Sequence, residues 1–301
     1  MSKWTAADIP DQGGKTVVVT GANSGLGLVT ARELARKGAH VVLTARTQEK
    51  GDRAAQEIEA AAPGARTEVR LLDLASLESV RAFAAGVAEA HPAIDVLVNN
   101  AGVMMTPKGT TADGFETQFG TNHLGHFALT GLLLEAITGR VVTVSSIEHK
   151  PGRIAFDDLQ GEVKYGPRTA YQQSKLANAM FALELDRRLR ASGSEVISVI
   201  AHPGYSDTAL QTSGPTGIAR LAMKYIGNKV IAQSADRGAL PQLYAATAVD
   251  VQGGEFIGPD GFNEMRGDPT RVQPTQRAQD PETAKRLWET SEELTGLRYA
   301  F

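Results

Sequence analysis

The chain of 301 residues predicts a doubly wound α/β fold with about seven parallel strands and helices on both faces. Three observations carry that prediction. Short β-branched apolar runs alternate with stretches of helical periodicity, the order of strand–helix–strand units. The runs are apolar throughout rather than at every second residue, as strands covered on both faces are. Glycines cluster where the first strand turns into the first helix, a corner that lets backbone approach a ligand closely. Right-handed crossovers then put any ligand beyond the carboxyl ends of the strands.

The elements follow in order. Lys15–Thr20 (KTVVVT) is the first strand, and a helix from about Leu26 to Lys37 follows it. Leu28, Ala31, Leu34 and Ala35 give that helix one apolar face, and Gly38 ends it. The second strand is His40–Thr44 and the third Glu68–Leu72, with Ser76 capping the next helix. Ile94–Val98, Arg140–Val144 and Glu195–Ala201 are the fourth to sixth strands, and a short seventh lies at Glu255–Ile257. Lys150–Arg168 and Met265–Asp280 are irregular, the second reading as a surface segment. A last helix starts at Asp280-Pro281 and runs to Gly296, with Ala284, Leu287, Trp288 and Leu294 in one stripe. There is no repeat and no linker, so residues 1–301 read as one domain.

Composition excludes more than it names. Hydrophobic residues are 42% of the chain, enough for one large core. Net charge is −3, with no basic field for nucleic acid. Cysteine is absent, which removes disulfides, thiolate metal sites and a thiol nucleophile. Met1–Gln12 has no signal-peptide run, and no stretch approaches the ~20 apolar residues that span a bilayer. The expectation is a soluble cytoplasmic protein without a membrane anchor.

Thr20-Gly21-Ala22-Asn23-Ser24-Gly25-Leu26-Gly27 sits at the first strand–helix corner with GxxxGxG spacing. Such a corner offers unpaired amides and the positive end of a helix to a dinucleotide pyrophosphate. No GK[ST] follows, which excludes a Walker loop. At the end of the second strand Ala45 stands where NAD-using folds place a carboxylate for the ribose 2′-hydroxyl, and Arg46 follows. A guanidinium there suits a 2′-phosphate, so NADP(H) is preferred and NAD(H) disfavoured. Asp73, before Leu74, either accepts from the adenine amino group or caps the next helix. Asn99-Asn100-Ala101-Gly102 closes the fourth strand, where its polar side chains pin strand ends and line the cleft.

Tyr171 and Lys175 lie four apart, on one helical face. A nearby ammonium and a cationic nicotinamide ring both favour phenolate, and lowering a tyrosine from 10 to ~7 needs about 4 kcal/mol. Tyr171 then serves as general acid or base. Tyr225 and Lys229 repeat the spacing but follow no strand-end serine, and this copy reads as a decoy. Ser145-Ser146 closes the fifth strand, from which Ser146 reaches a substrate oxygen. His202-Pro203-Gly204-Tyr205-Ser206-Asp207-Thr208 follows the sixth strand and reaches the nicotinamide end. Asn122 sits in a helical pattern against its propensity, which calls for a reason. His123 and His126 lack the further ligands of a zinc site and read as solvent-facing or packed, and His149 reads as surface.

Together, TGANSGLG (20–27), NNAG (99–102), Ser146, Tyr171-x-x-x-Lys175 and PGxxxT (203–208) resemble the short-chain dehydrogenase/reductase family over nearly the whole chain. SSIEHKPGRIAFDDL (145–159) and YQQSKLANAMFALEL (171–185) are similar to its retinol dehydrogenase and protochlorophyllide reductase neighbourhood. The resemblance implies a Rossmann-type oxidoreductase that moves hydride between nicotinamide and a carbonyl or alcohol. It implies that Asn122 completes a tetrad with Ser146, Tyr171 and Lys175 by holding a water next to Lys175. It further implies that Thr208 contacts the carboxamide, that residues 205–235 form a substrate lid, and that the protein is a homodimer or homotetramer. Membrane-bound retinoid enzymes carry an N-terminal apolar anchor not found here, so a bulky apolar substrate is expected more than retinol itself. Ile218, Leu221, Ala222, Met223 and Ile226 would face it, or simply pack. The rival readings are a catalytically silent NADP(H)-binding regulator and an interaction protein using its last helix.

Overall fold

The computed structural model describes residues 3–205 and 233–301. Eight strands form one sheet in the order β3-β2-β1-β4-β5-β6-β7-β8. They are β1 (Thr16–Val19), β2 (His40–Ala45), β3 (Arg66–Leu71), β4 (Ile94–Asn99), β5 (Ile137–Val144), β6 (Ile197–Ala201), β7 (Phe256–Pro259) and β8 (Pro269–Val272). Pairing is parallel from β3 across to β7, and β8 runs antiparallel to β7. The chain winds outward from β1 through β2 to β3, then returns to β4 on the other side of β1. That reversal opens a crevice beyond the carboxyl ends of β1 and β4.

Period-two geometry explains why the strands are apolar throughout. Val17, Val19, Val41 and Leu43 pack in the core against α1 (Gly25–Arg36), α2 (Gln48–Ala61) and α8 (Leu240–Thr247). Val18, Val42 and Leu97 face the opposite core, with α3 (Leu77–Ala90), α5 (Gly125–Leu133) and α6 (Pro167–Ala191). Each face is covered, so neither half of the alternation can be polar. Two shorter helices, α4 (Thr117–Phe119) and α7 (Ala235–Gly238), complete the connections, and α9 (Pro281–Thr295) closes the chain. The Asp280 side chain accepts from the Glu282 amide, and Gly296 ends α9 in the left-handed region at φ 62°.

The expected seven parallel strands become eight, because β8 lies inside the stretch read as surface. Its Pro269 starts an edge strand, where a missing N–H costs no ladder bond. Segment 206–232 lies outside the described residues. Thr208, nearly all of the expected lid, its apolar residues and the Tyr225 decoy fall there. Among the described residues, no helix is long and apolar enough to cross a membrane.

Candidate active site

The glycine corner has the shape of a cradle. Gly21 and Gly25 take φ of 63° and 56°, which disfavours any residue with a Cβ. A Cβ on Gly27 would lie 2.4 Å from the Gly21 carbonyl oxygen and 2.5 Å from Asn100 Nδ2. Asn23, Ser24 and Leu26 complete the turn. Ser24 occupies the cap position of α1 but makes no capping bond with its side chain, so the first-turn amides keep their capacity for a ligand. The donor set and the tight backbone fit a dinucleotide pyrophosphate.

Neighbouring strand ends fix this corner. Thr44 Oγ1 accepts from the Gly21 amide at 3.0 Å, and the Ala22 amide donates to the Thr44 carbonyl at 3.1 Å. Arg46 follows two residues later and is exposed. The cap of α3 is Ser76, which accepts from the Ser79 amide at 3.2 Å. Asp73 Oδ1 instead accepts from the Ala75 amide at 3.0 Å, so it is not the helix cap. Leu74 is buried with its carbonyl against Gly125. On the far side, Asn100 Nδ2 donates to the Thr20 carbonyl at 2.7 Å. Thr20 Oγ1 accepts from the Asn100 and Ala101 amides, both at 2.9 Å. β1 and β4 are thereby pinned at the crevice floor.

The second cluster lies where β4, β5 and α6 meet. Ser146 follows β5, accepts from the Glu148 amide at 3.2 Å, and interacts through its hydroxyl with the Tyr171 phenol. Tyr171 is 5% exposed and Lys175 3%. Lys175 Nζ donates to the Val144 carbonyl at 3.0 Å and stands 5.8 Å from the centre of the Tyr171 ring. Asn122 lies in a π-helical turn, Gly120–Leu124, between α4 and α5. Its Nδ2 donates to Ser174 Oγ and to the Val103 carbonyl, and its Oδ1 accepts from the Val103 amide. A Cβ on Gly102 would meet Asn122 Oδ1 at 3.1 Å and Lys175 Nζ at 3.6 Å. Asn122, Lys175 and the turn after β4 therefore converge on one point. Single-turn π segments of this kind recur at functional sites.

The electrostatics differ from the sequence expectation. Burial pushes the Tyr171 phenol up to about 12; Ser146 pulls it down and Glu148 pushes it further up. Burial also brings Lys175 down to about 8. The ammonium lies beside the ring, bonded to a carbonyl, and does not overcome desolvation. At neutral pH the phenol of the protein alone carries its proton.

Several contributors were not foreseen. His126 is fully buried, with Nδ1 2.9 Å from the Asn122 carbonyl and Nε2 2.9 Å from Thr20 Oγ1. It ties the π turn to the crevice floor, and burial holds it down at about 4, hence neutral. His123 packs in the same core against Phe119. His149, expected at the surface, is instead fully buried against Phe256, its Nδ1 2.7 Å from the Ser146 carbonyl. Its polar neighbours in sequence hid a position enclosed only by tertiary packing. Beyond β6, Gly204 turns at φ 67° with its amide on His202 Nδ1, and the Pro203 carbonyl accepts from Gln233 Nε2 at 2.7 Å. His202 Nε2 reaches Glu264 at 3.1 Å. That loop is thus held at the same end of the sheet as Ser146.

The family model for short chain dehydrogenase matches residues 15–217. The chain is 43% identical to human retinol dehydrogenase 13 over 296 residues, 94% of this chain and 85% of that protein. It is 41% identical to mouse polyprenol dehydrogenase, over 96% of this chain and 86% of that protein. A crystal structure of an uncharacterized protein from Mycobacterium Paratuberculosis superposes with a TM-score of 0.85 and 48% identity, covering all of both chains. A short chain dehydrogenase from Burkholderia cenocepacia J2315, solved in complex with NADP, shares the fold at a TM-score of 0.62 and 24% identity, over 81% of this chain and 96% of that one. The chain belongs to the short-chain dehydrogenase/reductase family of oxidoreductases and is related to the retinol dehydrogenases.

Proposed function

We propose that this oxidoreductase is one domain that uses NADP(H) to interconvert a bulky apolar carbonyl and its alcohol, with Tyr171 as the acid/base. The observation that carries this reading is the convergence of Ser146, Tyr171, Lys175 and Asn122 at the carboxyl ends of β4 and β5, beside the glycine cradle. The relatives named for retinol and polyprenol point to a long isoprenoid aldehyde or alcohol as the substrate class. No feature of the described residues favours the regulatory reading.

Residues 21–27 would hold the pyrophosphate of NADP(H), Arg46 its 2′-phosphate, and Asp73 and Leu74 its adenine side. Asn100, Ala101, Gly102, Pro203 and Gly204 would line the remainder. When bound, the cofactor supplies or accepts hydride. The Ser146 hydroxyl orients the substrate oxygen against Tyr171. The Tyr171 phenol, protonated at neutral pH in the protein alone, gives its proton to that oxygen during carbonyl reduction. In the alcohol direction it must first lose that proton, which the Lys175 ammonium favours. Asn122, locked by Val103 and Ser174, holds the Lys175 end of this path in place.

Cofactor choice has its own test. One charge-assisted bond from Arg46 is worth ~1.5–3 kcal/mol, or roughly 10- to 150-fold in affinity. Arg46→Asp should weaken NADPH binding by that amount while NADH binding changes little, as fluorescence titration would show. An unchanged NADPH/NADH ratio removes Arg46 from the phosphate site.

A further inference from the structure

We propose that His40, Glu68 and His91 form a binding site for a divalent metal ion of the zinc class, at the end of the sheet opposite the cofactor crevice. The three residues come from the start of β2, the middle of edge strand β3 and the residue that ends α3. Their ligand atoms all lie within 4.8 Å of one another. His91 Nε2 is 2.8 Å and His40 Nε2 3.8 Å from the same carboxylate oxygen, Glu68 Oε2. Tetrahedral zinc with bonds near 2.0–2.1 Å spaces its ligands by roughly 3.3 Å, so small side-chain movements suffice. In doing so the ion would displace whatever proton the Glu68–His91 pair shares.

Register explains the convergence. His40 pairs with Arg66 and Val42 with Glu68, so His40 and Glu68 lie on the sheet face that packs against α3. Arg70 Nε bonds the other carboxylate oxygen, Glu68 Oε1, while its Nη1 donates to the Gly86 carbonyl. The arginine thus orients the carboxylate with Oε2 toward both imidazoles, as partners of metal-bound carboxylates do. Its positive charge also weakens cation binding, which favours moderate over tight affinity. All three ligands retain partial exposure, leaving access for the ion and for a water as fourth ligand. Five residue steps of ~3.3 Å each separate His40 from Ala45, so the site is roughly 17 Å from the crevice end of β2. A bound ion would tie the sheet's open edge to β2 and α3, stabilising the native chain by mass action.

The remaining histidines make the test clean. Of the six in the chain, the other four are at most 1% exposed, and there is no cysteine. The experiment titrates the full chain, stripped by chelator, with zinc chloride by calorimetry and with cobalt(II) by visible absorption. The expected result is one ion per chain, a cobalt spectrum altered by imidazole ligation, and a rise in melting temperature with zinc. Glu68→Gln and His91→Gln should each weaken binding by about tenfold or more, with NADPH affinity unchanged. No saturable uptake, or uptake that survives both substitutions, overturns the proposal. If the variants do not fold, a cobalt spectrum identical to that of the aqua ion overturns it on the wild-type chain alone.

Discussion

Tyr171→Phe should lower kcat by ~10²–10⁴ while leaving NADPH affinity close to wild type. The substitution removes one oxygen from a side chain that is 5% exposed and keeps the ring that packs there. Packing is therefore retained, and the loss falls on proton transfer. Burial holds the phenol at about 12 in the protein alone, so the wild-type group starts protonated. Reduction draws directly on that state. Oxidation requires phenolate, and its rate should rise with pH until the phenol, lowered by bound oxidised cofactor, is fully ionised. A Phe variant with wild-type turnover would remove Tyr171 from the chemistry. One that loses NADPH binding as well would assign the residue to cofactor support.

Lys175→Met should separate activity from stability: turnover collapses, while the cofactor-free chain melts a few degrees higher at neutral pH. The wild-type ammonium is buried, and its fall from 10.5 to about 8 corresponds to a penalty on the order of 3 kcal/mol. Methionine fills similar space without charge. The lost bond to the Val144 carbonyl offsets part of the gain, although Asn178 Nδ2 still donates to that carbonyl at 3.3 Å. The sign follows from linkage. Between pH 8 and 10.5 the unfolded lysine binds more protons than the folded one, so wild-type stability from this group rises with pH. The penalty is present in full below pH 8 and fades above it, and the advantage of Met should shrink accordingly. Thermal melts of both proteins at neutral and alkaline pH check this. A Met variant that melts well below wild type at pH 7 would show that the ammonium stabilises the fold.

The strands were legible because two-sided burial demands unbroken apolar runs: Val17, Val18 and Val19 fill opposite cores in turn. β8 was not, because an edge strand that pairs on one side needs no such run, and Pro-Thr-Arg-Val does not look like one. The third strand begins two residues early for the same reason, since exposed Arg66 hides its start. Within the site, glycine spacing and the Tyr171–Lys175 pair were readable because their constraints are local. His126, His149 and the Thr20 hub were not, since each acts through contacts distant in sequence: Thr20 with Asn100 and His126, His149 with Phe256. The low propensity of Asn122 did flag a special position, but the π turn around it was invisible until its bonds to Val103 and Ser174 were seen.

The central claim is hydride transfer to a carbonyl, and NADPH oxidation followed by absorbance tests it most directly. The substrates would be a graded set of aldehydes from short aliphatic to retinal and longer isoprenoids. The account predicts turnover that increases with the size and apolarity of the aldehyde. Tight NADPH binding without turnover across the whole set would contradict it and favour a cofactor-binding regulator on the same fold.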